Sequence, residues 1–90
     1  MVEKRLKIME QDGLHLRPAK ELCRIAGEYE SNIMIRYCSR EFNAKSLLGV
    51  LSACLQEGDE ITLACTGTDE EAASKALAAF LEKKTADGDK

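Results

Sequence analysis

Gly13-Leu14-His15-Leu16-Arg17-Pro18-Ala19 is the stretch on which the reading of this chain turns. Proline is favoured in a first helical turn, where its missing N–H removes no bond, so Pro18 marks a helix start and Gly13 loosens the approach to it. Upstream, from Val2 to Met9, Val2, Leu6 and Ile8 fall on one side of a strand. Downstream, from about Arg17 to Tyr29, Ala19, Leu22, Cys23 and Ala26 recur at spacings of three and four, the period of an amphipathic helix. Strand, loop and helix therefore meet at the chain's single histidine.

A histidine beside a helix N-terminus is placed to handle an anion. Free backbone N–H groups and the positive end of the helix dipole attract negative charge there, and the Arg17 guanidinium can add a bidentate contact to phosphate oxygens. Imidazole is a good nucleophile near neutral pH, and the P–N bond it forms is labile enough to pass the phosphoryl group on. A lone histidine in a small domain is more often a surface or capping residue. The arginine and the helix start beside this one favour an anion site.

Working outward, Ser31 and Asn32 break the first helix, and Ile33, Ile35 and Tyr37 alternate as the inward face of a strand. Ser39 and Arg40 are placed at a hairpin tip, with Glu41 to Asn43 as a short return strand. Ser46 precedes the apolar cluster Leu47, Leu48, Val50 and Leu51, and serine is among the best N-caps, which predicts a short helix from Leu47 to about Cys54. Ile61, Leu63 and Cys65 alternate as a last strand before Gly67. Thr68-Asp69-Glu70-Glu71 then reads as a capping box for a final helix with Ala73, Ala76, Leu77, Phe80 and Leu81 as its apolar stripe. The predicted fold is α+β, a two-layer open-faced sandwich of order βαββαβα, with a four-stranded antiparallel sheet and three helices on one face. Residues 1–84 form one domain in this reading, and 85–90, small and polar, a disordered C-terminal tail.

Ninety residues allow one module with a modest core, which favours chemistry on an exposed patch offered to another protein over a deep catalytic pocket. A carrier is thus expected rather than an enzyme. Thirteen Lys and Arg against 16 acids give a net charge of −3. No basic stripe is interleaved with aromatics, so nucleic acid is not an expected partner. No apolar run approaches the roughly 20 residues of a membrane span, and Met-Val-Glu-Lys-Arg is not followed by the apolar segment of a signal peptide, which places the chain in the cytoplasm. Cys23, Cys38, Cys54 and Cys65 are widely spread, form no C-x-x-C and have one histidine to accompany them. They read as reduced thiols, with no metal site and no cofactor. Cys23 and Cys65 lie on apolar faces, while Cys38 and Cys54 stay open to redox chemistry.

These residues carry a family resemblance. Gly13-Leu14-His15 with Arg17-Pro18-Ala19, Asn43-Ala44-Lys45-Ser46-Leu47-Leu48-Gly49-Val50, and Gly67 followed by Asp69-Glu70 resemble, over residues 2 to 84 and without a gap, the histidine-containing phosphocarrier protein HPr of the bacterial sugar phosphotransferase system. The resemblance implies a stoichiometric relay: His15 takes a phosphoryl group from phospho-enzyme I through Nδ1 and passes it to the IIA unit of a sugar permease. Arg17 and the backbone amides of Leu16 and Arg17 would hold the phosphate. It further implies that Ser46 is a regulatory phosphorylation site for a dedicated kinase and phosphorylase, with a transcriptional regulator among the partners. The docking surface would be Lys20, Arg24, Leu47, Leu48 and Leu51, on a monomer, since one face must meet two partners. Against the family pattern, Leu16 replaces a small residue beside the histidine and predicts crowding of the phosphate site, and Cys38-Ser39 replaces an Asn-Gly turn. An HPr-like paralogue acting mainly through Ser46 in carbon-metabolism control is the alternative.

Overall fold

A computed structural model describes residues 1–82. It contains β1 (Val2–Lys7), α1 (Leu16–Gly27), β2 (Asn32–Tyr37), β3 (Arg40–Asn43), α2 (Leu47–Ala53), β4 (Glu60–Thr66) and α3 (Glu70–Glu82). The strands form one antiparallel sheet in the order β1-β4-β2-β3. This is the expected α+β open-faced sandwich. The expected tail at 85–90, and the boundary at 84, lie outside the described residues.

Period-two burial decides the sheet's inner face. Leu6, Ile33, Ile35, Phe42, Ile61, Leu63 and Cys65 are buried beneath the helices, together with Ala19, Leu22, Ala26, Val50, Ala73, Leu77 and Leu81 from α1, α2 and α3. Each fully buried Leu or Ile contributes about 1.5–3 kcal/mol relative to exposure, so a continuous core of this size fixes the register: Leu63 pairs with Lys4 on one side and Ile35 on the other. The outer face is polar, and a single guanidinium spans it. Arg36 of β2 reaches Glu41 of β3 through Nε at 2.9 Å and Glu3 of β1 through Nη1 at 2.8 Å, passing over β4, where Ala64 is the register partner of both Glu3 and Met34.

Several boundaries differ from the expectation. β1 ends at Lys7, because Ile8 exchanges backbone bonds with Gly58 and Asp59 in the turn before β4. The hairpin tip is Cys38-Ser39, both with positive φ (52° and 66°), and Arg40 already pairs with Tyr37. Positive φ at both central residues is the turn whose twist suits a two-residue hairpin. α2 stops at Ala53, with Cys54 in a left-handed C-cap at φ 53°. α3 begins at Glu70, and its box is shifted by one: the Glu70 carboxylate accepts from Gly67 N–H at 2.9 Å. Asp69 instead turns its carboxylate to the α1–β2 connection, accepting from Glu30 N–H at 2.9 Å, from Ser31 N–H at 3.0 Å and from the Ser31 hydroxyl. On α3 the buried positions include Ser74, whose hydroxyl donates to the Glu71 carbonyl at 2.9 Å, while Ala76 and Phe80 are half-buried.

Candidate functional site

The loop from Met9 to Leu14 delivers His15 to the start of α1. Asp12 and Gly13 both have positive φ (68° and 75°), and the Gly13 N–H donates to the Glu10 carbonyl at 2.9 Å. Leu14 is buried and anchors the loop in the core. α1 starts one residue earlier than expected, so His15 is itself the N-cap, in extended conformation, and Pro18 occupies the first turn. The backbone does the capping: the His15 carbonyl accepts the first helical bond from Ala19 N–H at 2.9 Å. The imidazole makes no capping hydrogen bond.

An exposed histidine, with no side-chain hydrogen bond or ion pair among the described residues, therefore occupies the N-cap of α1. The amides of Leu16 and Arg17 lie in the first helical turn and have no backbone acceptor among the described residues. Arg17 and Lys20 are exposed, and neither enters an ion pair among the described residues. These groups border one open groove with Glu10, Asp12 and Phe80. Two aligned N–H groups, two uncommitted cations and one nucleophilic ring can hold and carry a tetrahedral dianion.

The remaining expected docking residues divide. Arg24 is occupied within α1, bonded to Glu21 and, at 2.9 Å, to Glu28, and these carboxylates hold its guanidinium above its ordinary value, Glu21 foremost. Of the leucines, Leu48 stands 78% exposed, whereas Leu47 and Leu51 are half-buried against the core. The Leu16 side chain is 56% exposed. Ser46 is the N-cap of α2 as expected, its Oγ accepting from Gly49 N–H at 3.0 Å. The Asn43 side chain accepts from Lys45 N–H at 2.8 Å, and the Asn43 carbonyl accepts from Ser46 N–H at 3.0 Å, so the connection presenting Ser46 is tied at both ends.

All four cysteines are free. Burial pushes the Cys23 thiol up, and burial with the nearby Glu70 and Asp69 carboxylates does the same for Cys65. Cys38 and Cys54 are exposed. Among the described residues no three His, Cys, Asp or Glu side chains gather as a metal set, and no helix is long and apolar enough to cross a membrane.

Sequence reasoning did not find the contact that seats this loop. Gly13 packs against the Leu55 carbonyl, and Leu14 N–H donates to that same oxygen at 3.0 Å. Gly13 itself was the one available signal, and nothing around Leu55 names its partner.

Comparison with known proteins places this geometry in a family. Residues 2–83 match the family model described as PTS-HPr, the PTS HPr component phosphorylation site. The HPr-like protein Crh of Halalkalibacterium halodurans is 39% identical over 84 residues, covering 93% of this chain and all of that one. Among solved structures, HPr-C-His from Thermoanaerobacter tengcongensis is 35% identical with a TM-score of 0.88, covering 91% of this chain and 92% of that one. Crh of Bacillus subtilis, a catabolite repression protein solved as a dimer with a swapping domain, is 30% identical with a TM-score of 0.76, covering 97% and 100%.

Proposed function

The chain belongs to the HPr family of phosphocarrier proteins, and from that premise we propose that it relays a phosphoryl group from phospho-enzyme I through His15 to IIA units of sugar permeases. The observation that carries the relay is the N-cap position of His15: its carbonyl accepts the first helical bond, and its exposed imidazole makes no capping bond at the residue just before Leu16 and Arg17. In the transfer the Nδ1 lone pair attacks phosphorus in line, and the bond to the donor breaks with its electron pair leaving on the donor. The two amides and Arg17 stabilise charge on the phosphoryl oxygens. A second in-line step reverses this toward the acceptor. The chain is consumed and regenerated stoichiometrically and acts as a carrier, not as an enzyme; it needs no cofactor and works as a cytoplasmic monomer.

Ser46 is the control site in this reading, modified by a kinase and restored by a phosphorylase. A dianionic phosphate there adds repulsion next to exposed Leu48, on the surface that meets enzyme I and IIA, and so acts on partners rather than on folding. The resemblance to Crh favours a second reading, in which regulation through Ser46 and a transcriptional regulator dominates and transport is secondary.

A three-component transfer separates the two. The chain is charged from labelled phosphoenolpyruvate by enzyme I, freed of enzyme I, and mixed with IIA domains. Movement of label from the chain to a IIA domain is the expected result. A chain that charges on Ser46 with kinase but neither accepts label from enzyme I nor gives it to any IIA domain would leave the regulatory reading in its place.

A further inference from the structure

One turn, residues 55–59, holds the His15 loop at both ends. Upstream, Ile8 N–H donates to the Asp59 carbonyl at 2.8 Å, and Gly58 N–H donates back to the Ile8 carbonyl at 2.7 Å. Downstream, Leu14 N–H donates to the Leu55 carbonyl at 3.0 Å. Gly13 lies so close to this turn that a Cβ on it would stand 2.3 Å from the Leu55 oxygen and 2.8 Å from Gln56 Cα. Between the two anchors the loop has two further backbone bonds among the described residues, Gly13 N–H to the Glu10 carbonyl at 2.9 Å and a long one from Met9 N–H to the Leu81 carbonyl at 3.4 Å.

The turn is closed from inside by Asp59. Its N–H donates to the Gln56 carbonyl at 3.0 Å, and its Oδ2 accepts from Gln56 N–H at 2.7 Å. The same carboxylate faces the Tyr37 hydroxyl at the end of β2. A charge-assisted bond of this kind is stronger than a neutral one, and it acts one residue away from the carbonyl that receives Leu14.

We propose that Asp59 is a positioning residue for phosphoryl transfer: by closing the 55–59 turn, its carboxylate fixes the frame that sets His15 at the N-cap, just before the Leu16 and Arg17 amides. The proposal rests on His15 as the acceptor. Without the carboxylate, Gln56 N–H turns to water, the Leu55 carbonyl loses its fixed direction, and the imidazole no longer holds the in-line geometry. Misplacement on the scale of an ångström lowers such a transfer by up to ~10²-fold. Asp59 itself touches neither the phosphate nor the partner in this account.

The test uses Asp59→Ala, which removes the acceptor, and Asp59→Asn, which keeps an oxygen for Gln56 N–H. Charging by enzyme I and phosphoenolpyruvate is followed by intact mass to give kcat and KM for the chain as substrate, and amide exchange is read at Leu14 and at Leu63 in the sheet centre. Expected are a fall in kcat of about tenfold or more for Asp59→Ala at unchanged KM, recovery in Asp59→Asn, and faster exchange at Leu14 but not at Leu63. A general loss of stability would speed both amides and would overturn the proposal. So would wild-type kcat in Asp59→Ala, or unchanged Leu14 exchange in both variants. Should Asp59→Ala not fold, Asp59→Leu, which keeps the branched shape without an acceptor for Gln56 N–H, carries the same comparison against Asp59→Asn, and wild-type kcat or unchanged Leu14 exchange in Asp59→Leu overturns it. A wild-type chain that takes no phosphate contradicts the carrier reading itself, and the proposal with it.

Discussion

The Leu14 N–H donates to the Leu55 carbonyl across 3.0 Å, and the residue before it, Gly13, leaves no room for a side chain against that same oxygen. The histidine loop is thereby seated on the connection between α2 and β4, although the two partners lie 41 positions apart in the chain.

Replacement of Gly13 tests that seating. Gly13→Ala places a Cβ in a left-handed conformation, which costs roughly 1–2 kcal/mol, and drives it into backbone atoms of Leu55 and Gln56. A total loss above about 2 kcal/mol is expected by urea denaturation, with slower charging of His15 in the fraction that stays folded. Stability equal to the wild type would mean that the loop does not pack on the 55–59 turn.

The two arginines of α1 should behave differently. Arg17 has no ion pair among the described residues, so Arg17→Ala is expected to lower the rate of His15 charging by ~10²-fold, the loss associated with removing one donor to a transition-state oxyanion. Arg24 already bonds Glu21 and Glu28. Its replacement by Ala should change charging by less than ~3-fold. Comparable losses in both variants would refute the idea that Arg24 is neutralised within its own helix.

Ser46 can be separated into cap and control site. Ser46→Ala removes the acceptor for Gly49 N–H and should lower stability by about 1 kcal/mol. Ser46→Asp keeps a capping oxygen and should melt near the wild type. Equal melting of all three forms would show that the cap contributes nothing.

Stability should fall at both ends of the pH range. Asp69 is held below its ordinary value by the Ser31 hydroxyl, then by the Glu30 and Ser31 amides, and Glu70 by the Gly67 amide and the N-terminal amine. Lowered carboxyls give stability that is complete above the ordinary carboxylate range and is lost as pH drops through their folded values, that is below about pH 4. Tyr37 is pushed up to about 12 by hydrogen bonding with Cys38 and Asp59 and by burial. Its contribution is present below the ordinary tyrosine value near 10 and is lost as pH rises toward 12. Thermal melts across pH should show Asp69→Asn flattening the acid limb and Tyr37→Phe flattening the alkaline one; limbs of wild-type slope would remove these residues from the account.

Most of this architecture was legible because burial has a period. Ile33 and Ile35, Ile61, Leu63 and Cys65, and Leu22 with Ala26 all lie where alternation or helical spacing puts them. What escaped were features set by backbone conformation and by contacts distant in sequence. Cys38 and Ser39 adopt positive φ without the Asn-Gly that advertises it, so the hairpin tip was placed one residue late. Asp69 matches a capping motif, yet its carboxylate serves Ser31 across the fold, and Glu70 takes over the capping bond. At the candidate site His15, Arg17 and Lys20 border one groove, whereas Arg24 is committed to Glu21 and Glu28 on its own helix, a pairing that their i, i+3 and i, i+4 spacings signal. Leu47 and Leu51 sink into the core because a seven-residue helix must bury one side, which leaves Leu48 to solvent.

The most direct test is intact-mass analysis of the chain after incubation with phosphoenolpyruvate and enzyme I, run beside His15→Ala. One acid-labile phosphate on the native chain and none on His15→Ala is the expected result. A folded native chain that gains no phosphate, or gains an acid-stable one that persists in His15→Ala, would contradict His15 as the carrier.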